Sequence, residues 1–573
     1  MSMTNDSVFE TRKLLLNKRL AQFCANLRMK HSLTCWTLAG LLAGPAAQTI
    51  DPAALAALPT VQPAALEAHV RYLADDRLRG RLPGTPGYQL AVDYVTSQFK
   101  QNGVQPAGDQ GTYTQTVRLR RAFVAAGATA SYQPASGAAQ PLAVGPAITF
   151  YPNPGQAAVA VADAPLVFAG YGISAPELKY DDYAGLDARG KVVVITRQAP
   201  RQFADNERQY FADLRTVLEN AARHGAVGVL LAAAHADARL PEFPKGVVSA
   251  LAPDGQVAVS RSYAVGSAQL VGSISPATLQ QLFAGAARDT GQALSALRGG
   301  KAASLPLPGR LSARYASRYQ DVDSYNVVGR LTGSDPRLRS EYVVHSAHLD
   351  HLGVGPAVNG DSIYNGAHDN ATGVASVLEI SKLYAGLKVK PRRSVLFVLV
   401  TGEEMGLLGS AYFARFPTVP KSALVADINT DMPTIIAPLL AVVPLGADHS
   451  SLMQPVKAAA DYLQLTIEPD PEPAQNRFIR SDQYSFVVQG VPALHIKYGN
   501  KTADGKNNLS ETVQKWRALT YHKPQDNFEG GTFDWAAGAQ YARLNFLIGY
   551  QVTQATARPS WNKGDFFGMR FGK

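Results

Sequence analysis

The spacing of apolar positions changes along the chain, and each change predicts an element. Between 64 and 103 apolar residues recur every three or four positions, first in ALEAHVRYLADDRL and again in YQLAVDYVTSQFKQNG. Two helices are predicted there, around the Gly- and Pro-rich turn RLPGTPG. Residues 112–124 alternate in the manner of a strand. The runs PLVFAGYG (165–172), GKVVVITR (190–197) and GAVGVLLAA (225–233) predict short buried strands, with the helix-like NERQYFADLRTVLENAARHG between the last two. From about 322 strands and helices alternate. SYNVVGRLTG and EYVVHSAH predict strands, and ATGVASVLEISKLYAGL predicts an amphipathic helix started by Asp369 or Asn370. RSVLFVLVT is a near-continuous apolar strand, as in a parallel sheet covered on both faces. EMGLLGSAYFARF predicts a helix, ALVADINTD a strand, 449–463 a helix, PALHIKY (492–498) a strand and 534–554 a last helix. The fold class expected is α/β, a mixed and largely parallel sheet wound with helices. A β-rich α/β module is inserted at 126–310, between an N-terminal part at 48–125 and the main part at 311–573.

Composition narrows the picture. A chain of 573 residues exceeds one ordinary core, and 46% hydrophobic with 17% charged residues suits a globular protein. The net charge is +10. Residues 1–47 hold six basic and two acidic residues, and removing those four net charges leaves +6. No basic stripe with interleaved aromatics is present, so nucleic acid is not an expected partner. Met29-Lys30-His31, the apolar run from Leu33 to Ala43 and the small residues Gly44-Pro45-Ala46-Ala47 have the order of an export signal. Residues 1–28 then read as an upstream start, and the mature protein is expected in the periplasm or outside the cell. Both cysteines, Cys24 and Cys35, fall in the removed part, so no disulfide is expected. No later segment is apolar enough to cross a membrane, so no stable membrane insertion is expected after signal removal. The oligomeric state is not legible.

The candidate chemistry lies between His345 and Glu404, in HSAHLDHLG, YNGAHDNATG and FVLVTGEEMG. Four of 11 histidines fall between 345 and 368. Buried charges on this scale must be paired or hold a metal. His348 follows one predicted strand, Glu403 and Glu404 follow another, and Asp431 ends a third. In open α/β sheets, ligands bind beyond the carboxyl ends of the strands. Asp369, just before a helix, can join them from the connecting loop. Imidazole with carboxylates suits zinc at an open catalytic site, and a shared carboxylate can bridge two ions. Asp350 has the reach to hydrogen-bond the second ring nitrogen of His348. Of the neighbours Glu403 and Glu404, one can ligate while the other serves as general base.

These blocks resemble the bacterial leucyl aminopeptidase and aminopeptidase Y family of co-catalytic di-zinc exopeptidases. The resemblance covers 322–550 and 64–120. It implies two zinc ions per chain and peptide substrates with a free N-terminus. By motif, His348 and Asp431 would ligate one zinc, Asp369 would bridge both, and Glu404 and His522 (in YHKPQDNF) would be the remaining ligands. Glu403 would be the general base for an attacking water, and Tyr521 would hold the oxyanion. IRSDQYSF is similar to the family's pocket-lining RSDH stretch, which brings in Arg480 and Asp482, with Gln483 in place of the usual His. His345, His351, His368 and His495 are expected to be packed or supporting residues. YGISAPELKYDDYAGLDARGKVVVI and ARHGAVGVLL resemble a protease-associated domain. It would wall the cleft and could hinge at its Gly- and Pro-rich entry. Three other readings stand beside this one. Di-zinc carboxypeptidases and deacylases carry a lid after the third ligand block, where this chain has only about 90 residues between Asp431 and His522. Glutaminyl cyclases use one zinc. A receptor on a disabled peptidase fold would have lost ligands.

Overall fold

The computed structural model describes residues 50–233, 238–264, 266 and 268–572. The expected export signal, Met29 and both cysteines lie outside them. Helices α1 (Pro63–Leu73) and α2 (Pro86–Gln101) flank the expected turn, each with proline at its start, where the missing N–H costs nothing. Strand β1 (Thr114–Val124) follows.

The insertion contains β2 (Thr129–Gln133), β3 (Ala158–Phe168), β4 (Val192–Thr196), α3 (Asp205–Ala212), α4 (Leu214–Arg223), β5 (Gly228–Ala232), β6 (Val247–Leu251) and β7 (Leu270–Ile274). Strands β3, β4, β5 and β7 pair in parallel in that order. The single helix expected over 206–225 is two. Asp213 is extended, and its carboxylate accepts from Arg215 N at 3.0 Å, so it ends α3 and caps α4. The insertion has its own hydrophobic core, built around residues such as Phe168, Val194, Phe211 and Leu230.

Strand β8 (Leu305–Leu331) is 27 residues long. Its first part pairs with β2 and β3, its middle with β1, and its end with β10 (Ser394–Val400) of the main sheet. The expected boundary at 310/311 therefore falls inside a strand. Only residues 125–128 separate β1 from β2, and both strands are hydrogen-bonded to β8.

Past β8 come β9 (Tyr342–His348), α5 (Thr372–Ala385), β10, α6 (Leu408–Arg415), β11 (Leu424–Asn429), β12 (Ala441–Leu445), α7 (Met453–Tyr462), β13 (Ala493–Tyr498), α8 (Leu509–Thr520) and α9 (Trp535–Gln554). The sheet order is β8-β10-β9-β11-β13-β12. The inner four strands are parallel, and β8 and β12 run against them. Every residue of β9, β10, β11 and β13 is buried, as the continuous apolar runs require. Val343, Phe397 and Ile428 face α1, α5 and α9, while Val344, Val398 and Leu424 face Phe413 of α6 and Phe486. Helix α6 starts four residues later than expected. Gly406 and Leu407 adopt left-handed backbone (φ +109° and +60°), which leaves Glu403 and Glu404 on a loop.

Candidate metal centre

The parallel strands deliver the charged residues to one edge. His348 is the last residue of β9, Glu403 and Glu404 follow β10, and Asp431 follows β11. Asp369 arrives from the turn before α5. His348 Nε2 lies 3.2 Å from Asp369 Oδ1 and 3.6 Å from Asp431 Oδ1. On the other side, His522 Nε2 lies 3.3 Å from Asp369 Oδ2 and 3.1 Å from Glu404 Oε2. The two oxygens of Asp369 thus serve two clusters, which suits a carboxylate that bridges two cations. The structure brings together all five residues expected as ligands.

A further histidine lies beside them. His351 Nδ1 approaches Glu404 Oε1 to 2.7 Å, and His351, Asp369 and Glu404 form a second group able to hold a metal ion, beside His348, Asp369 and Asp431. His351 is fully buried. Neither of its ring nitrogens, nor Glu404 Oε1, has a hydrogen bond with proper direction. Donor atoms this close, buried and not aimed at one another fit a cation placed between them. His351 was expected to pack or to support a ligand, and its place beside Glu404 serves either support or ligation. His345, His368 and His495 do behave as supporting residues. His368 stacks on Phe533 at 4.4 Å with Nε2 3.1 Å from Thr532 O, and His495 Nε2 lies 2.8 Å from Asp431 O.

Charge in the clusters is polarised. Burial raises the Asp369 and Asp431 carboxyls, but neighbouring cationic groups win and hold both below the usual carboxylate range. For Asp369 these are His348 and His522; for Asp431 they are Lys497 and His348. Burial likewise opposes charge on His348, yet bonds to Asp369 and Asp431 push it well above its ordinary value. The carboxylates therefore draw positive charge to the site, whether as imidazolium protons or as a metal ion.

The loops are positioned by groups that the sequence did not single out. Arg81 is 1% exposed and donates to four carbonyls, those of Leu73, Leu349, Asn365 and Gly366. It ties the His348–His351 loop to the turn that presents Asp369. Gly366 (φ +60°) permits that turn, since a Cβ there would lie 2.1 Å from Asp369 O and 2.5 Å from the His351 ring. Asp526 accepts from the amides of His368 and Asp369 at 2.9 and 3.0 Å. Of the two expected helix starters, Asn370 acts, with Oδ1 accepting from Gly373 N at 3.0 Å.

One supporting assignment changes. Asp350 does not hold His348 through its carboxylate, which stands 3.9 Å from Nδ1; its backbone carbonyl takes that place at 3.1 Å. The carboxylate instead accepts from Glu403 N at 3.1 Å and so sets the loop of the expected base. Asp482, expected to support a ligand or to line the substrate pocket, is fully buried behind the site, where burial pushes its carboxyl up to about 7. Its neighbour Ser481 faces forward and donates to Asp431 Oδ2 at 2.6 Å. Gln483 accepts from Asn429 at 2.8 Å within the wall.

Glu403 belongs to neither cluster. Burial pushes its carboxyl well above the usual range; His348 opposes this, and Glu404, Asp482 and Asp431 add to it. Two cavities meet at Glu403, Arg480 and Tyr521. The larger, about 800 Å³, has Arg215, Glu219 and Arg261 of the insertion opposite Glu403, Tyr521 and His522. Residues of the insertion thus line one side of this cavity. The smaller, about 80 Å³, lies against His348, Asp369 and Asp431. Tyr521 stacks on His522 at 3.8 Å, under the Arg517 guanidinium at 3.7 Å. Burial keeps its hydroxyl protonated and able to donate.

Residues 326–546, which hold both clusters, match the model of peptidase family M28. A probable leucine aminopeptidase 2 of Aspergillus oryzae is 26% identical over 326 residues, 54% of this chain and 59% of that protein. Carboxypeptidase Q of Rattus norvegicus is 34% identical over 123 residues, 21% of this chain and 24% of that one. The chain thus spans less than two thirds of these relatives. The solved aminopeptidase from Aneurinibacillus sp. strain AM-1 is 19% identical, with 89% of this chain and 97% of that one covered at a TM-score of 0.46. Among the described residues no helix is long and apolar enough to cross a membrane.

Proposed function

We propose that the chain is a zinc-dependent exopeptidase that releases N-terminal residues from peptides. The observation that carries this is the pair of clusters sharing Asp369, with Glu403 claimed by neither and facing the junction of two cavities. His348, Asp369 and Asp431 would hold one zinc ion, and Glu404, His522 and His351 with Asp369 the other. Two ions there supply Lewis acidity and lower the pKa of water.

The chain's own residues supply the rest. Glu403, its loop set by Asp350, takes a proton from the attacking water and passes it to the leaving amine. Tyr521 donates its hydroxyl to the oxyanion. The insertion, read as a protease-associated domain, walls the larger cavity and favours chain ends over internal bonds. The test pairs metal analysis with turnover of aminoacyl anilides. Glu403→Gln should keep both zinc ions and lose roughly 10²–10⁴-fold in kcat. Loss of metal from Glu403→Gln, with retention in Glu404→Gln, would reverse the two roles.

A further inference from the structure

The smaller cavity is built for an anion. Lys497, 7% exposed, donates to the carbonyls of Asp431 and Met432 at 2.7 and 3.1 Å. An ammonium has three N–H bonds, so one is left for the cavity. Arg517 spans the wall against the Tyr521 ring, and Arg480 stands at the mouth, where both cavities share it. Among the described residues neither arginine has a carboxylate within ion-pair distance. Arg477 differs, being paired with Asp470 and Glu472. The carboxylates on this wall are Asp369, Asp431 and Glu403. The first two belong to the clusters, where cations would cancel them. Lys497 faces Asp431, which it shares with His348, while Arg480 and Arg517 have no carboxylate partner among the described residues. An apolar occupant would desolvate Lys497 without return, and a basic one would be repelled. A carboxylate matches the arginine fork and the free ammonium proton.

We propose that this cavity binds a carboxylate of the substrate's terminal residue through Lys497, Arg480 and Arg517. The proposal rests on the exopeptidase reading and names its substrate class; a C-terminal outcome would keep exopeptidase action and replace release of N-terminal residues by release of C-terminal ones. The carboxylate has two possible sources: the side chain of an N-terminal Asp or Glu, or the α-carboxylate of a C-terminal residue.

The test uses the full metal-loaded protein. Its first arm compares the 4-nitroanilides of Glu, Gln, Leu and Lys. Its second compares N-acetyl dipeptides with a free or an amidated C-terminus. A side-chain site gives at least tenfold higher kcat/KM for Glu than for Gln. A C-terminal site gives the same margin for free over amidated peptides. Either preference should shrink at least fivefold in Arg480→Gln and in Arg517→Gln; Arg480 is exposed, so its variant does not threaten the fold. Absence of both preferences, or an equal loss on all substrates in both variants, overturns the carboxylate site. If nothing is turned over, the exopeptidase reading has failed. Calorimetric titration then decides the carboxylate site alone, with glutamate against glutamine for a side-chain source and N-acetyl-leucine against its amide for a C-terminal source: at least tenfold tighter binding of the acid in either pair retains the site, and equal affinity in both pairs removes it.

Discussion

His351 Nδ1 stands 2.7 Å from Glu404 Oε1, three residues along the chain from His348, which serves the opposite cluster. One short loop therefore reaches both sides of Asp369. Removing His351 should weaken one metal position and spare the other. His351→Ala is expected to lower affinity at that position by about 10–100-fold. Stepwise chelation with metal analysis checks this: one ion should leave early. Simultaneous loss of both ions at the wild-type chelator concentration would assign His351 to packing.

Arg81 should matter to stability as well as to metal binding. Arg81→Met leaves four buried carbonyls without their shared donor, at roughly 1–3 kcal/mol for an orphaned group. The expected loss is several kcal/mol, read as a fall in melting temperature. The metal-free protein should show it too, because the bonds hold backbone rather than ligands.

Three neutral histidines should make the protein acid-sensitive. Burial pulls His345, His368 and His495 down to about 3. Unfolded, each binds its proton near 6.5, while folded it resists until about 3. Between those values the unfolded state holds more protons, so stability falls as pH falls, by up to about 1.4 kcal/mol per unit for each histidine. Melting temperatures between pH 7 and 5 should drop. His345→Gln should flatten that slope, since His345 lies inside the core beside Tyr384 and Phe397.

The insertion should set substrate length. Replacing 130–305 with a Gly/Ser linker removes Arg215, Glu219 and Arg261 from the larger cavity. In a variant that folds and binds metal, relative kcat/KM on long against short peptides should rise. Equal ratios in the variant and the intact chain would leave the insertion as an appendage.

Export predicts a mature N-terminus. Sequencing of protein from the native host should begin near Gln48, after Gly44-Pro45-Ala46-Ala47. Protein that begins at Met1 in the cytoplasm would contradict it.

Most of the main sheet was legible because each inner strand is buried on both faces and so reads as an unbroken apolar run. His348, Asp369, Glu404, Asp431 and His522 stood out because chemistry-bearing residues at the ends of such runs have few structural uses. Other residues depended on loop geometry that no local pattern carries. His351 looked like one more packed or supporting histidine, because the loop that carries it is tied by Arg81, whose partner Leu349 is 268 positions away. Asp350 was assigned the right neighbourhood but the wrong partner, because its own carbonyl competes for the same ring nitrogen. Asp482 and Ser481 adjoin in sequence yet face opposite ways. The joint between insertion and main sheet was hidden too: β8 passes from one set of neighbours to the next as a single strand, with no loop between them.

That uninterrupted strand constrains how such a chain can change over generations. Side chains in a strand alternate faces, so adding or deleting one residue reverses every later contact. Between Ser317 and Val327, β8 pairs with β1 while holding the insertion's sheet on one side and β10 on the other. A single-codon insertion there would be felt by both lobes and by the wall of the cleft. Related chains should therefore keep this stretch at constant length, and length variation should gather in the insertion's surface loops.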